Sequence, residues 1–400
     1  MSEFSYLEKL LDGVEVKWLP LGHIAAIKTG QSVNKNMISK NPGVYPVINS
    51  GREPLGFINT WNTDNDPIGI TTRGAGVGSV IWQEGKYFRG NLNYSITIDK
   101  KSHINIRYMY HALLHMKNDI HELCTFDGIP ALNAGSLKKL LIPIPCPNNP
   151  EKSLAIQSEI VRILDKFTAL TAELTAELTA RKKQYNYYRD QLLSFDEGEV
   201  EWKALIDACD YVDYRGKTPR KTSEGIFLVT AKNIRMGFID YTLSQEFISK
   251  SDYSIVMRRG TAKIGDILIT TEAPCGFVAQ VDNENIALAQ RVIKYRSKDK
   301  NLSNSFLKHY LLGSQFQEKL MNTATGSTVK GIKGSKLHQL TVPIPSVNAQ
   351  EKIVRILDKF DTLTNSITEG LPREIELRQK QYEYYRDLLF SFPKPDSVTN

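Results

Sequence analysis

The sequence predicts an α+β protein in which two globular regions of mixed helix and strand are joined by two long helices. Three observations predict this fold class. The chain contains an internal repeat, each copy of the repeat ends in a long segment with helical periodicity, and the segments before these helices are rich in short β-type runs. The predicted regions are 1–150, 151–197, 198–345 and 346–400.

Length and composition fit a multidomain globular protein. A chain of 400 residues is too long for one ordinary core, and its contents of 41% hydrophobic and 24% charged residues are typical of globular proteins. No apolar run reaches the ~18–20 residues needed to span a bilayer, and the N-terminus lacks the apolar core of a signal peptide. We therefore expect a cytoplasmic chain with no membrane partner.

Basic charge is concentrated in the globular regions. Residues 1–150 contain 15 Lys/Arg against 12 Asp/Glu, and residues 201–345 contain 21 against 14, which gives nets of +3 and +7. The helical regions, counted as 151–200 and 346–400, have nets of −2 and −1. Basic surface attracts polyanions, of which DNA and RNA are the commonest in the cytoplasm. The globular regions are therefore the candidate nucleic-acid-binding regions.

The internal repeat is nearly exact in the helical segments. IVRILDKF occurs at 160–167 and again at 353–360, and RKKQYNYYRDQLLSF at 181–195 returns as RQKQYEYYRDLLFSF at 378–392. A Pro-Ile-Pro segment precedes each helix, whereas the globular segments have diverged strongly. The sequence therefore indicates two constant helical rods, each attached to a variable globular region.

The first rod is predicted to be one continuous helix. Its apolar residues step by three and four, as in a coiled-coil seam, at Ile160, Ile163, Phe167, Leu170, Leu174, Leu178, Tyr185, Tyr188, Leu192 and Phe195. The extra step of four from Leu174 to Leu178, directly after another step of four, predicts a stutter. No Pro or Gly occurs from about 153 to 195, which allows ~60 Å of helix. The alternative is an amphipathic helix lying on a globular core.

The second rod carries the same stripe but is predicted to break. Its apolar positions are Ile353, Ile356, Phe360, Leu363, Ile367, Tyr382, Tyr385, Leu389 and Phe392. Gly370-Leu371-Pro372 lies between its halves, and glycine commonly ends a helix whereas proline commonly begins one. We expect a break or kink at this position.

The globular regions contain short β-type runs separated by Gly, Asn and Pro, such as PIGITT at 67–72 and GDILITT at 265–271. Each region then ends in a predicted helix, at 106–123 and 304–320. The Pro-Ile-Pro segment follows. Because proline cannot continue a helix, we predict that this segment ends the β structure and forms a rigid neck to each rod.

Patterns typical of nucleotide or zinc sites are weak. The segment GSTVKGIKGS has the glycine spacing of a phosphate-binding loop, but Ile332 stands where the loop requires lysine. His111 and His115 are four residues apart on a predicted helix, a spacing that can ligate zinc. The corresponding helix of the second copy retains only His309. Structural roles are therefore the preferred interpretation.

Evidence for catalysis is equally weak. Asp64 or Asp66 with Glu84-x-Lys86 resembles the Asp, Glu and Lys triplet of a metal-dependent nuclease, but such triplets arise often by chance. The Asn-Pro-Pro-aromatic motif of adenine methyltransferases does not occur. We therefore predict no catalytic residue, no metal and no cofactor for this chain.

Recognition is the remaining chemistry. Arg and Lys contact phosphates and the guanine edge, and Asn and Gln read adenine. Such residues cluster in loop-like stretches of both globular regions. We predict DNA binding by Lys28, Lys35, Arg52, Arg73, Arg89, Asn91 and Asn93 in the first, and by Arg215, Lys217, Arg220, Lys232, Asn233, Arg235, Gln290, Arg291, Lys330 and Lys333 in the second. For any single member, a solvated surface charge is the alternative.

With variable regions alternating with helices that carry Pro-Ile-Pro, IVRILDKF and YYRD, the sequence resembles the specificity subunits of type I restriction–modification systems. The tandem Thr-Ala-Glu-Leu at 171–174 and 175–178 resembles the type IC group. The resemblance implies two target recognition domains, each reading one half of a bipartite, asymmetric double-stranded DNA sequence. It also implies antiparallel helices as a spacer, a pseudo-twofold arrangement, and chain ends that lie close together.

The resemblance further implies partners that carry the chemistry. Two modification subunits would methylate adenine with S-adenosylmethionine, and restriction subunits would add ATP-dependent translocation and cleavage. The specificity chain itself would be non-catalytic. Two other classes stay open: a methyltransferase or nuclease that acts alone, and a paired-helix scaffold that binds DNA without sequence preference.

The Thr-Ala-Glu-Leu repeat has a length suited to a spacer. One added copy lengthens a helix by ~6 Å and rotates everything beyond it by ~40° past a full turn. One base pair rotates DNA by about 35°, so the two angles nearly match. In keeping with the resemblance, we predict that the repeat sets the distance between half-sites.

Overall fold

The structure is a computed structural model that describes residues 4–51, 53–196, 198–214, 219–289, 291–366 and 368–393. The chain folds into two compact units. The first comprises Met1–Glu173 with Glu376–Asn400, and the second comprises Leu174–Ile375. Each unit therefore combines one globular region with parts of both helical rods. The predicted fold class, mixed α/β regions joined by long helices in an internal repeat, is confirmed.

Short strands and helices alternate in the globular part of the first unit. In chain order they are α1 (Phe4–Leu11), β1 (Val16–Pro20), α2 (Leu21–Ile24), β2 (Ala25–Thr29), α3 (Lys35–Lys40), β3 (Pro42–Ile48), β4 (Phe57–Ile58), β5 (Thr63–Asp64), β6 (Ile68–Thr71), β7 (Val80–Trp82), β8 (Lys86–Arg89), β9 (Asn93–Ile98), a short 3-10 helix (Lys100–Ser102), α4 (Ile106–His115), α5 (Lys117–Glu122), β10 (Cys124–Thr125), β11 (Ala131–Leu132), α6 (Ala134–Leu137) and β12 (Leu141–Pro145).

The strands of the first unit form two four-stranded sheets and two short ladders among the described residues. One sheet is antiparallel with the order β2-β9-β6-β7. The other has the order β4-β3-β8-β5, and its β3 and β8 run parallel. Strand β1 pairs with β12, and β10 pairs with β11, both antiparallel. The sheet face, α4 and the rods enclose the main core, which includes Ile68, Ile70, Ile96, Tyr108, Leu113, Ile160, Leu164, Leu389 and Phe390.

The second unit repeats this construction. Its elements are β13 (Glu201–Ala204), α8 (Leu205–Ala208), β14 (Cys209–Asp213), β15 (Lys221–Thr222), β16 (Ile226–Val229), β17 (Phe247–Ile248), α9 (Lys250–Val256), β18 (Ile267–Thr271), β19 (Cys275–Gln280), β20 (Ile286–Leu288), β21 (Val292–Ser297), α10 (Asn304–Leu312), α11 (Ser314–Thr323), α12 (Gly334–Leu337) and β22 (Thr341–Ile344). These elements are preceded by the C-terminal half of α7 (Pro150–Leu192) and followed by α13 (Val347–Asn365) and the start of α14 (Gly370–Leu389).

The order of the antiparallel sheet repeats between the units, whereas the mixed sheets share three strands and differ in the side on which the fourth is added. The second unit contains an antiparallel sheet β14-β21-β18-β19 and a mixed sheet β15-β17-β16-β20, in which β16 and β20 are parallel. Strands β13 and β22 pair as β1 and β12 do. Two apolar clusters stabilise this unit. One includes Tyr310, Phe306 and Leu357, and the other fills the space beneath β16, β20 and β18.

The Pro-Ile-Pro segments belong to the sheets. In the first unit Pro143 and Pro145 lie within β12, opposite Trp18 and Val16. Strand β12 ends at Pro145, as predicted for the Pro-Ile-Pro segment, although Pro143 also takes part in the ladder. A two-stranded ladder leaves one edge of each strand unpaired, so a residue without an N–H is tolerated there. The helices follow closely, since α7 begins at Pro150.

The two rods differ as predicted. Helix α7 is continuous over 43 residues, whereas the second rod is divided into α13 and α14. Gly370 has a φ of +74°, a left-handed conformation that glycine adopts without strain. A Cβ atom at this position would lie 2.4 Å from the carbonyl oxygen of Thr362. The break therefore requires glycine.

The predicted seam is buried at its ends and open in its middle. Ile160 and Tyr185 are buried, whereas Leu170 is exposed and Leu174 and Leu178 are half-buried. Among residues 165–184, all of which the structure describes, none is buried. Ile367 of the second seam lies outside the described residues. The two copies of the Thr-Ala-Glu-Leu repeat therefore lie in a part of α7 that contributes little to the core of either unit.

Each helix predicted before the neck is divided in two. The first copy forms α4 and α5 with a break at Met116, and the second forms α10 and α11 with a break at Gly313. The breaks let α5 and α11 turn and pack separately on the core, through Ile120 in the first unit and Phe316 in the second. Periodicity alone did not separate these helices because both halves are amphipathic.

Candidate nucleic-acid interface

One end of the central sheet of the first unit gathers several loops. The backbone N–H of Leu92, in the turn between β8 and β9, donates to Asn49 Oδ1 at 3.0 Å. The Leu92 carbonyl accepts a hydrogen bond from the N–H of Thr72 at 2.9 Å. Gln31 forms a β-bridge with Gly90 of the same turn. Loops that are distant in sequence therefore meet around residues 90–92.

The hairpin β10–β11 joins the same group of loops. Arg73 forms a β-bridge with Ala131, and the N–H of Gly74 donates to the carbonyl of Pro130 at 2.9 Å. The tip of this hairpin exposes Ile129, of which 67% is accessible. Sequence reasoning missed this tip, although its Asp-Gly-Ile-Pro segment is a turn signal.

Four predicted residues of the first unit are exposed at or beside these loops. Lys28 precedes and Lys35 follows the segment that contacts Gly90. Arg73 and Asn91 lie within the loops themselves and are exposed. The side chain of Asn34 caps α3 by accepting from Met37, which fixes the start of the helix at Lys35. The four exposed side chains, those of Lys28, Lys35, Arg73 and Asn91, are therefore available to a ligand.

Arg89 and Asn93, in contrast, are internal. Arg89 is 3% exposed, and its guanidinium donates to the carbonyls of Asp66 at 2.7 Å and Tyr94 at 3.0 Å. It also donates to Asn93 Oδ1 at 2.6 Å and to the hydroxyl of Tyr87. The prediction of direct DNA contact is therefore wrong for these two residues in this conformation, because their polar atoms hold the two sheets together. Burial lowers the pKa of Arg89 and raises that of Tyr87 to about 12.

In the second unit the equivalent loops enclose a basic groove. The N–H of Thr271 donates to the carbonyl of Arg291 at 2.8 Å, as that of Thr72 does to Leu92. The groove has a volume of about 280 Å³ and is lined by Lys221, Leu228, Thr230, Ala231, Lys232, Glu246, Ala273, Ala289 and Arg291. Lys221 pairs with Glu246 at 2.8 Å, so the single acid of the lining is already neutralised. Two of the predicted residues, Lys232 and Arg291, are brought together here.

Asn233 supports this groove from inside. It is fully buried, and its Oδ1 accepts from the N–H of Thr230 at 2.9 Å and from the Thr230 hydroxyl at 2.8 Å. Its Nδ2 donates to the carbonyl of Asp240 at 3.2 Å. The prediction of base contact by Asn233 is therefore wrong in this conformation, because the side chain is used to fix the turn that carries Lys232.

The other predicted residues of the second unit are dispersed. Arg220 is exposed beside β15, and Arg235 is half-buried in a tight hairpin. Lys330 and Lys333 are exposed on the segment that connects α11 to α12, where Gly331 forms a β-bridge with Glu272. Arg52, Arg215, Lys217 and Gln290 lie outside the described residues.

A buried histidine connects the first globular region to the rods. His111 of α4 is fully buried, and its Nε2 lies 2.9 Å from Asp165 Oδ1 of α7. Its Nδ1 lies 2.9 Å from the hydroxyl of Tyr382 of α14. Arg107 donates from Nε to the same carboxylate at 3.2 Å. Burial lowers the pKa of His111 to about 4, although the hydrogen bond to Asp165 opposes this shift.

The second unit contains the corresponding contact. His309 of α10 is fully buried, and its Nε2 lies 2.7 Å from Asp358 Oδ1 of α13. Lys308 adds an ion pair to Asp361 at 3.1 Å. Burial lowers the pKa of His309 as well. Both histidines are therefore neutral positioning groups at neutral pH.

Strands β5 and β8 place Asp64 opposite Lys86, whereas the two histidines whose spacing could ligate zinc do not converge. His111 and His115 contact different carboxylates, those of Asp165 and Asp387. Among the described residues, no group of three His, Cys, Asp or Glu side chains is arranged to hold a metal ion. No helix in the described part of the chain is long and apolar enough to cross a membrane.

The ends of the described chain meet in the first unit. The indole N–H of Trp18 in β1 donates to the carbonyl of Pro393 at 2.8 Å. Leu389, Phe390 and Phe392 are buried in the core of this unit. The expectation that the two ends of the chain lie close together is thereby confirmed for the described residues.

Comparison with known proteins gives consistent matches. The family model for the type I restriction modification DNA specificity domain matches twice, at residues 13–181 and 199–377. The EcoR124I/EcoR124II specificity subunit of Escherichia coli is 42% identical over 418 residues, which cover 100% of both chains. The EcoprrI specificity subunit of Escherichia coli is 34% identical over 406 residues, which cover 92% of this chain and 93% of that relative.

A solved structure supports the fold. The S subunit of a type I restriction–modification system from M. genitalium aligns with a TM-score of 0.57, covering 96% of this chain and 98% of that one. The two sequences are 18% identical, so the likeness concerns the fold alone.

Proposed function

Because this chain belongs to the family of type I restriction–modification specificity subunits, we propose that it selects the DNA sequence on which such a complex acts. The chain reads double-stranded DNA and contributes no catalytic residue. It acts in the cytoplasm, where the DNA and the other subunits are present. The target is bipartite, and each globular region reads one half of it.

The observation that carries this proposal is the repetition of one loop arrangement in both units. In each, a threonine N–H at the end of a central strand donates to the carbonyl of a turn residue, Leu92 or Arg291. Exposed cations surround both turns, including Arg73 in the first unit and Lys232 in the second. One base pair contributes only ~1–3 kcal/mol of discrimination. Two joined readers add their specificities, because the second binding event becomes intramolecular.

We assign DNA contact to the exposed members of the predicted set. These are Lys28, Lys35, Arg73, Asn91, Arg220, Lys232, Arg291, Lys330 and Lys333. The half-buried Arg235 stays in the set with a smaller expected contribution. Arg52, Arg215, Lys217 and Gln290 stay in it as sequence predictions.

The repeated helices provide two equivalent surfaces for two modification subunits. The Tyr-Tyr-Arg-Asp segments lie on α7 and α14, where Tyr187 is 62% exposed and Tyr384 is 46% exposed. A surface that occurs twice in nearly the same sequence suits two copies of one partner. Restriction subunits join the resulting complex. Methyl transfer and cleavage belong to these partners.

The Thr-Ala-Glu-Leu repeat sets the spacing between half-sites, in keeping with the type IC group. The supporting observation is that residues 165–184 form helix without a buried side chain. Four residues can therefore be removed or added there without opening a core. The change in length and rotation then alters only the separation of the two readers.

The proposal is tested by mapping methylated sites in DNA after expression of the chain with the modification subunits of its own system. The expected motif is bipartite and asymmetric, and the chain alone transfers no methyl group. Methyl transfer by the chain alone would establish an independent methyltransferase. A contiguous motif would contradict two readers, and DNA binding without any sequence preference would indicate a scaffold.

A further inference from the structure

We propose that Arg291 reads a guanine in the half-site that the second unit recognises. This inference rests on the proposed function and adds a base identity to it. Three cationic side chains, those of Lys221, Lys232 and Arg291, line the groove, and we infer a different role for each from its contacts.

The backbone at Arg291 is held in an unusual conformation. Its φ is +68°, in the left-handed region that residues other than glycine seldom adopt. Its carbonyl accepts from the N–H of Thr271 at 2.8 Å and from the Thr271 hydroxyl at 3.3 Å. The next residue, Val292, is fully buried and paired with Thr270 in the central sheet. The side chain therefore projects from a fixed point.

Such a conformation is informative because glycine would adopt it without strain. A residue with a side chain is strained there, and such strained residues are typical of functional sites. Ala273, with a φ of +48°, lines the same groove, so two strained positions lie at one place in the fold. The observation indicates that a side chain is needed at position 291.

A second observation concerns the guanidinium of Arg291. No hydrogen bond or ion pair of this side chain is present among the described residues. Two other arginines of the second unit are engaged, since Arg296 pairs with Asp266 and Arg259 donates to the carbonyl of Asp213. The acid of the groove, Glu246, is paired with Lys221. Arg291 therefore presents a full set of donors.

A fixed, unpaired guanidinium suits a base edge better than a phosphate. Arginine forms two parallel hydrogen bonds to O6 and N7 of guanine in the major groove, and this geometry requires accurate placement. A phosphate needs only nearby positive charge, which Lys232 supplies from an exposed position on the same groove. We therefore assign guanine to Arg291 and the DNA backbone to Lys232.

The test uses the full chain assembled with its modification subunits. Methylation rates are measured on a duplex library in which each position of the mapped target is varied in turn. Arg291→Gly is the main variant, because glycine fits the backbone and removes the guanidinium. Lys232→Ala is the matched variant on the same groove, and thermal unfolding of both checks that the fold is retained.

We expect Arg291→Gly to lose about 5- to 150-fold of discrimination at one G·C pair in one half-site and to leave the other half-site unchanged. Lys232→Ala should weaken binding to all sequences alike and reduce the salt dependence by about one phosphate contact. An unchanged motif in Arg291→Gly, a uniform loss in that variant, or a half-site without guanine would overturn the assignment. In those cases the wild-type bipartite motif still stands, whereas its absence would overturn the proposed function as well.

Discussion

His111 Nε2 and Asp165 Oδ1 lie 2.9 Å apart, although 53 residues separate the two positions in the sequence. The contact ties the helix that ends the first globular region to the rod that follows it. Tyr382, from the second copy of the repeat, occupies the other nitrogen of the same imidazole at 2.9 Å. One side chain thus orients the first reader against both rods.

We expect this histidine to make the first unit sensitive to mild acid. Burial lowers the pKa of His111 to about 4, Asp165 opposes the shift, and Arg107 and Arg386 add to it. The unfolded chain has a His pKa of ~6.5 and binds the proton first. The free energy of unfolding should therefore fall as pH drops from about 6.5 to 4, by up to about 3 kcal/mol.

The measurement is urea unfolding of the full chain at several pH values, compared with His111→Gln. Glutamine keeps hydrogen-bonding atoms but does not titrate in this range. The variant should be less stable at pH 7 and lose less stability between pH 7 and 5 than the wild type. Equal losses in both proteins would show that His111 does not govern the effect.

Arg89→Met should destabilise the first unit. The substitution removes donors from the carbonyls of Asp66, Tyr94 and Ile68, which lie in a buried network. Hydrogen bonds to charged groups contribute about 1.5–3 kcal/mol each, so a loss of about 3 kcal/mol or more is expected. Thermal unfolding provides the measurement.

Arg73→Ala is the matched exposed substitution in the same unit. Its stability should change by less than about 0.5 kcal/mol. Its DNA affinity should fall for every sequence, with a smaller salt dependence. A large drop in stability for Arg73→Ala, or none for Arg89→Met, would contradict the division between exposed and internal residues.

Deletion of residues 175–178 should shorten the spacer while both half-sites keep their sequence. The deleted copy of the repeat lies in a part of α7 without buried side chains, so the cores of both units should remain intact. Methylation mapping of the complex gives the result. Glu177→Gln is the control, because it breaks the ion pair to Arg181 at 2.6 Å without changing helix length. An altered half-site with the original spacing would refute the role of the repeat.

Replacement of residues 1–136 by the equivalent region of another family member should change one half-site only. The replacement must keep Arg107 and His111, because both contact Asp165 of the retained α7. A replacement that lacks the histidine should bind its partners poorly or unfold at lower temperature. Mapped motifs of the exchanged chain decide the matter, and changes in both half-sites would contradict independent readers.

Much of the architecture could be predicted from the sequence, because the helical segments occur twice and show clear periodicity. The periodic stripe predicted a continuous α7, and Gly370 predicted the break before α14. The pairing of Trp202 with Pro343, like that of Trp18 with Pro143, was not predictable. Such ladders join positions far apart in sequence, and a two-stranded ladder tolerates the prolines that argue against a strand.

The site was predicted less completely, because residue type does not report burial. Arg89 and Arg291 are the same residue type near the same kind of turn, yet Arg89 is internal and Arg291 is exposed. The difference depends on the contacts of Arg89 with Asp66 in the loop before β6, with Tyr87 of its own strand β8, and with Asn93 of β9. The groove around Lys232 likewise arises from segments that no local pattern connects.

The division of the first unit into two stretches of chain has a consequence for biosynthesis. Its core requires Leu389, Phe390 and Phe392, which leave the ribosome about 200 residues after Glu173. At roughly 5–20 residues per second, the first reader waits about 10–40 s for these side chains. During that interval apolar surface on α4 is exposed to the cell. We therefore expect the first unit to complete its fold only after synthesis of residues 389–392, so that the unfinished chain is more prone to aggregation than the finished protein.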